Sequence, residues 1–480
     1  MDSREYADCD AVELALRIRS GVLSAQEAVS HAYRLIDRID PDINAFVSRE
    51  EVAARRDAGT TSSGPLAGVP IAMKDCVGFA RGSPRRFGSR LTNVMQFDHD
   101  DEVIARYRAA GLIPIGTTNV PEFSSSLSTE SVLHGPCRNP WNPAHSVGGS
   151  SGGAAAAVAY GAVPIAYAND SAGSIRVPAS CCGVFGLRPS RGRVPTGPLL
   201  GEIWYGLCSH HVITRSVRDS AVALDIGAGI DVGAPYGAPN PVRPYAEECT
   251  IAPGRLRIAV SDGAAQGVAL AGECSEGLAA TVELLRELGH EVYAASPEYS
   301  GAELRDRVTT LLSVALAEEV PALAADAGRD IGPDTVEACH RELIERGKRI
   351  AATELSRALN YRTALGRILG HFLLDYDVLL TPTLAEPPVT LGTIDANSQD
   401  VDAYLERMWN VSPFAALANL CGVPSMSVPL HWTTGGLPVG MMFTAAYANE
   451  GTLFRLAGQV EAARPWRDRH PALSAWQTNA

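Results

Sequence analysis

Apolar and polar positions along the 480-residue chain change period several times, and each change marks an element. Val29, Ala32, Tyr33 and Ile36 recur at helical spacing. Ser24 and Glu27 stand before them as a capping box, which satisfies free N–H groups at a helix start. Pro41 predicts an end near Ile39 or Asp40. From residue 65 to 187 short apolar runs alternate with Gly-rich turns. Strands are predicted over 69–73, 112–115 and 163–167, with helices over 102–110 and 154–160 between them. This β–α–β alternation predicts an α/β fold, a mixed or parallel sheet covered by helices. Residues 235–253 are rich in Pro and Gly and read as a connection. A strand over 256–260 and a helix over 274–288 follow. The stretch 302–374 is mainly helical, 378–380 is a strand ending at Pro382, and strands near 425–429 and 439–443 precede a helix over Glu450–Ala463. No repeat of 20–50 residues and no low-complexity segment divides the chain, so 1–480 is expected to form one compact unit.

Composition narrows the function. Hydrophobic residues make up 46% and charged residues 20%, as in a globular protein with a sizeable core. The formal charge is −13 and the pI about 5.4, which argues against nucleic acid or an anionic membrane as partner. The acidic N-terminus lacks the basic-then-apolar order of a secretory signal. No run reaches the roughly 18 uninterrupted apolar residues of a membrane span. The nearest, 154–168, is broken by Gly161 and Pro164. Ten cysteines show no zinc-ligand spacing, so reduced thiols in the cytoplasm are the simplest reading. Neither a metal nor a cofactor is expected.

Three segments carry candidate chemistry. Lys74 ends an apolar strand. Read alone it is a surface lysine, but a lysine buried there can lose its charge and act as a base. Residues 146–153 set Ser150 and Ser151 among glycines before a helix. This loop contains the Gly-x-Ser-x-Gly pattern of a nucleophile elbow, which requires a strand just before it. Pro140 and Pro143 occupy that position instead and count against it. Residues 169–178 lead from a strand into a small-residue turn that presents Ser174. Consecutive backbone N–H groups in such a turn can hold an oxyanion. Asp170 and Arg176 flank the turn as an ion pair. None of the eleven histidines stands in a recognisable catalytic setting.

Together and in this order, these segments resemble the amidase signature family. The resemblance includes Lys74, the Gly148–Gly153 loop, and Asp170 through Pro178. It continues through 182–189, Arg215-Ser216-Val217, 413–429 and 436–440, with Glu122 and 139–143 also fitting. It implies one large twisted mixed sheet with helices on both faces, a signature core over 65–220, and a variable helical region over 302–374 that shapes the pocket. It implies Lys74 as base, Ser150 as relay on a cis peptide, and Ser174 as nucleophile of an acyl-enzyme. The N–H groups of Ser171, Ala172, Gly173 and Ser174 would form the oxyanion hole. Ser151, Asp170 and Arg176 would give structural support. Phe123, Ser125, Trp204 and Tyr205 are the expected pocket residues. The family's Gly-Thr before the aspartate is Ala168-Asn169 here, and a usual glycine is Ala172, so the pocket shape departs from the pattern.

Within the family, residues 170–189 and the tail from Ser412 look most like the branch that contains 6-aminohexanoate cyclic-dimer hydrolases. The expected substrate is a small or oligomeric amide, with esters and carbamates within reach of the same chemistry. A homodimer is compatible with this reading. Two other classes remain open at this point: an amidotransferase subunit that releases ammonia for a partner, and a non-catalytic binding protein on the same fold.

Overall fold

The computed structural model describes residues 1–60 and 63–477. Its centre is an eleven-stranded sheet. In chain order the strands are β1 (Phe46–Arg49), β2 (Pro70–Lys74), β3 (Ile113–Thr118), β4 (Ile165–Asp170), β5 (Phe185–Arg188) and β6 (Ser209–Thr214). Then come β7 (Arg257–Val260), β8 (Glu291–Ala294), β9 (Val378–Pro382), β10 (Ser425–Trp432) and β11 (Pro438–Ala445). Across the sheet they lie in the order β1-β3-β2-β4-β6-β5-β10-β11-β9-β7-β8. The β3-β2-β4 and β9-β7-β8 runs are parallel, and the other pairings are antiparallel. Helices cover it, so the α/β architecture with a large mixed sheet holds.

Register explains where the site forms. β2 and β4 are parallel neighbours, with Ile71 opposite Ile165 and Ala72 opposite Ala166. Their C-terminal ends therefore leave the sheet on the same side, carrying Lys74 and Asn169. Every residue of both strands is buried. Ligands of open α/β sheets bind at such C-terminal edges.

One departure from the predicted elements has a local cause. The helix Ala25–Ile43 runs past Pro41. Pro41 falls in the last turn, where it gives up one helical hydrogen bond, and Ile43 beyond it is fully buried. Asn44 then closes the helix at φ 62°, and the Asp40 carboxylate accepts from Ala45 N at 2.9 Å and Phe46 N at 3.1 Å. The region 302–374 resolves into helices Gly301–Ala327, Ala338–Arg349 and Ala352–Asp375. By length and composition the first is apolar enough to cross a membrane. Here Leu304, Val308, Leu311 and Leu316 of that helix are buried, and it packs against the other two.

The helix Gly152–Ala159 is buried at every residue. Its small side chains let it lie close under β2, β4 and β6. Gly153 faces backbone directly, and an added Cβ would stand 2.5 Å from both Ala45 O and Asn119 N. Those are backbone atoms and cannot swing aside. Gly153→Ala is expected to lower stability by about 3 kcal/mol through overpacking, read as a fall in the urea midpoint. An unchanged midpoint would mean that the helix can shift outward.

Candidate active site

Lys74 is the last residue of β2 and is fully buried. Its Nζ lies 2.6 Å from Asn169 Oδ1, 3.4 Å from Asn169 O and 2.8 Å from Ser150 Oγ. Among the described residues no carboxylate lies within ion-pair distance of this amine. Burial therefore holds its pKa below the usual lysine range. A neutral amine has two N–H donors and one lone pair. The two Asn169 oxygens can accept both donors, which turns the lone pair toward Ser150. Asn169 was visible in the sequence only as a departure from the family pattern, and its role depends on the fold.

Ser150 is 1% exposed, and the peptide joining it to Gly149 is cis. Thr129 Oγ1 donates to Gly148 O at 2.8 Å and anchors the loop. Ser151 ties its loop to the 169–174 segment at two points. Its N–H donates to Ser174 O at 3.2 Å and its hydroxyl to Asn169 O at 3.3 Å.

The Ser174 turn is built around Asp170. One carboxylate oxygen accepts from Gly173 N at 2.7 Å, the other from Ile175 N at 3.1 Å. Arg176 Nε and Nη2 donate to the two oxygens at 2.9 and 3.0 Å, and Asn419 Nδ2 adds a contact at 2.9 Å. Asp170 and Arg176 are both fully buried. Burial opposes ionisation of Asp170, but the charge and hydrogen bonds of Arg176 win and hold its carboxyl well below the usual range. Gly173 has φ 128°, a conformation that side chains rarely adopt. Its N–H is committed to Asp170. Among the described residues, Ser171, Ala172 and Ser174 are the positions of the expected oxyanion set whose N–H groups have no intramolecular partner.

Two adjoining cavities reach this turn. The larger, 330 Å³, is lined by Phe79, Phe87, Phe123, Leu199 and Leu200 and has Ser150 and Asn169 in its wall. The smaller, 50 Å³, is lined by Ser125, Ala172 and Ser174. Ser124, Ser171 and Trp204 belong to both. Of the expected pocket residues, Phe123, Ser125 and Trp204 thus line the cavities. Tyr205 is not among the lining residues, and its carbonyl accepts from Arg362 instead.

One cluster lay beyond sequence reasoning. His340 Nε2 is 2.7 Å from Ser125 Oγ and its Nδ1 is 2.8 Å from Glu122 Oε2. None of the histidines announced this Ser125–His340–Glu122 chain in the sequence. A sequence separation of 215 between Ser125 and His340 hid the pairing. Glu122, Glu337 and His340 have the convergent geometry of a metal site. Their atoms already meet Ser89 Oγ, Val132 N, Glu337 N and Ser125 Oγ, so hydrogen bonds within the protein account for the cluster.

Asp170→Asn leaves Arg176 buried without a countercharge. The expected cost is about 3–5 kcal/mol, measured as a lower urea midpoint at pH 7. The lowered pKa of Asp170 sets the sign with pH. Its contribution is fully present above the ordinary carboxylate range, about pH 4, and is lost as pH falls through the depressed value. The variant should therefore lose part of the wild-type acid sensitivity. Equal midpoints for the two proteins at pH 7 would contradict the assignment.

Known proteins resemble this chain over most of its length. The amidase family model matches residues 27–454. A 6-aminohexanoate-cyclic-dimer hydrolase of Paenarthrobacter ureafaciens is 34% identical over 477 residues, covering 97% of this chain and 96% of that protein. A solved structure of 6-aminohexanoate cyclic dimer hydrolase with its substrate superposes with a TM-score of 0.91 at 31% identity, over 97% of this chain and 99% of the other. A glutamyl-tRNA(Gln) amidotransferase subunit of Thermotoga maritima superposes with a TM-score of 0.76 at 27% identity, over 99% and 98% of the two chains. The chain belongs to the amidase signature family and is a hydrolase of carbon–nitrogen bonds.

Proposed function

We propose that this enzyme cleaves amides through an acyl-enzyme on Ser174, with Ser150 as proton relay and Lys74 as general base. The observation that carries the reading is the Lys74 amine, buried without a carboxylate partner and placed 2.8 Å from Ser150 Oγ. The Ser174 hydroxyl is a weak nucleophile until its proton leaves. Ser150 takes that proton while giving its own to Lys74. Ser174 Oγ then bonds to the amide carbonyl carbon, and the oxyanion meets the free N–H groups of Ser171, Ala172 and Ser174. The proton returns through Ser150 to the leaving nitrogen as the C–N bond breaks. Water, deprotonated by the same relay, then releases the acid from Ser174.

The phenylalanine and leucine walls of the larger cavity support an amide with an apolar chain, small or oligomeric, as the substrate. The 6-aminohexanoate-type relatives favour the same class, and the same chemistry extends to esters and carbamates. The helical region 302–374 contributes Glu319, Val320, Ala322 and Leu323 to one cavity and Val308 and Leu312 to the other, which supports its role in shaping the pocket. The alternative of an amidotransferase subunit calls for a pocket suited to glutamine, and these apolar walls disfavour it. All ten cysteines are free thiols, which supports a reducing, cytoplasmic setting.

Ser174→Ala should lower hydrolysis of hexanoyl p-nitroanilide by about 10⁴-fold or more and abolish labelling by a serine-directed phosphonate. The wild-type rate should fall as pH drops through the lowered pKa of Lys74, because only the neutral amine is a base. In Lys74→Met the residual rate should lack that acid limb. Full activity in Ser174→Ala, measured by stopped-flow absorbance with verified protein mass, would overturn the mechanism.

A further inference from the structure

The reading of Ser174 as nucleophile leaves unused the buried cluster beside it, and the following inference rests on that reading. We propose that His340, fixed by Glu122, is a positioning residue that turns the Ser125 hydroxyl into a hydrogen-bond donor for a carbonyl oxygen of the bound amide. Glu122 lies in the short turn Glu122–Ser124, and His340 lies in the first turn of the helix Ala338–Arg349. Glu122 Oε2 accepts from Glu337 N at 2.8 Å, and Oε1 accepts from Ser89 Oγ at 2.8 Å. The carboxylate is thus an acceptor, so His340 Nδ1 carries the proton between them.

The second ring nitrogen decides the polarity of Ser125. Burial disfavours the imidazolium, but Glu122 and Glu337 outweigh it, and the His340 pKa is raised. The Ser125 proton is given to Glu122 O at 3.1 Å, so in the 2.7 Å contact with His340 the hydroxyl oxygen accepts and Nε2 donates. Ser125 lines the same cavity as Ser174, so a substrate oxygen can replace that carbonyl. Its neighbour Ser124 supports the placement. Ser124 Oγ is buried with no partner among the described residues, and Ser124 lines both cavities. Ser124 thus has an unused hydroxyl where the cavities meet, and Ser125 has a hydroxyl on the wall of the smaller one whose proton a substrate oxygen can take over from Glu122 O. Tyr404 closes the cluster on its far side, with its hydroxyl 3.5 Å from Ser125 O.

The test is a double-mutant cycle on the full chain, with kcat/KM for hexanoyl p-nitroanilide normalised to sites titrated by the phosphonate at Ser174. Ser125→Ala and His340→Leu should each lower the normalised kcat/KM about tenfold, and the double variant should be no worse than either single. His340→Gln, which keeps an N–H donor, should recover part of the loss. A merely structural His340 would lower the melting temperature and the fraction of titratable sites but leave the normalised value unchanged. Wild-type kcat/KM in Ser125→Ala overturns the proposal, even if His340→Leu fails to fold. Losses that multiply in the double variant also overturn it, as does phosphonate on Ser125. Activity retained in Ser174→Ala instead defeats the reading beneath it, so the two failures are distinguishable.

Discussion

An amine shut away from water with no carboxylate to pair with cannot keep an ordinary proton affinity, and the site is arranged around that constraint. Removing a charge from water is expensive unless a partner is supplied, and a lysine escapes the cost by becoming neutral. The sheet supplies the burial. β2 ends in Lys74 at the point where β4, its parallel neighbour, delivers Asn169. Asn169 offers two oxygens but no charge, so it orients the amine without restoring the proton. Ser150 is left as the partner for the lone pair.

The second support is the Asp170–Arg176 pair, where the opposite choice is made. Here a buried carboxylate keeps its charge because a guanidinium, two backbone N–H groups and Asn419 all point at it. This fixes the turn that carries Ser174. It also consumes the Gly173 N–H, which leaves the N–H groups of Ser171, Ala172 and Ser174 as those without a partner among the described residues. Ser151 joins the turn to the β4 end through one donor on each. Burial without an ionic partner lowers the pKa of Lys74, whereas the paired arginine lowers that of Asp170, so the two buried groups are pushed toward opposite charge states.

The parts of this arrangement legible in the sequence are those whose signal is local. The Ser150 loop, the Ser174 turn and the Lys74 strand each announce themselves within ten residues, and their order completes the resemblance. The mixed sheet followed from alternating short apolar runs and helical periods. What stayed hidden needed long-range register. Asn169 read as an oddity until β4 was laid beside β2. Asn419 reaches Asp170 across 249 residues, and His340 reaches Ser125 across 215. Pro41 misled because a proline signal ignores the tertiary cap that follows it. The cavity walls were half legible: aromatic residues near the core could be guessed, but Tyr205 shows that a neighbour of a lining residue can face elsewhere.

The protonation of Lys74 can be observed directly, because this chain has only two lysines among its 41 basic residues. The second, Lys348, is exposed and carries its own hydrogen bond to Glu345. Protein labelled with ¹³C at the lysine ε-carbon should give two side-chain resonances, assigned with Lys348→Arg and followed as a function of pH. The expected result is a Lys74 resonance that titrates well below the ordinary lysine value of about 10.4. A Lys74 resonance that stays in its charged position up to that value, in folded and active enzyme, would contradict the account, since the amine could not then serve as the base.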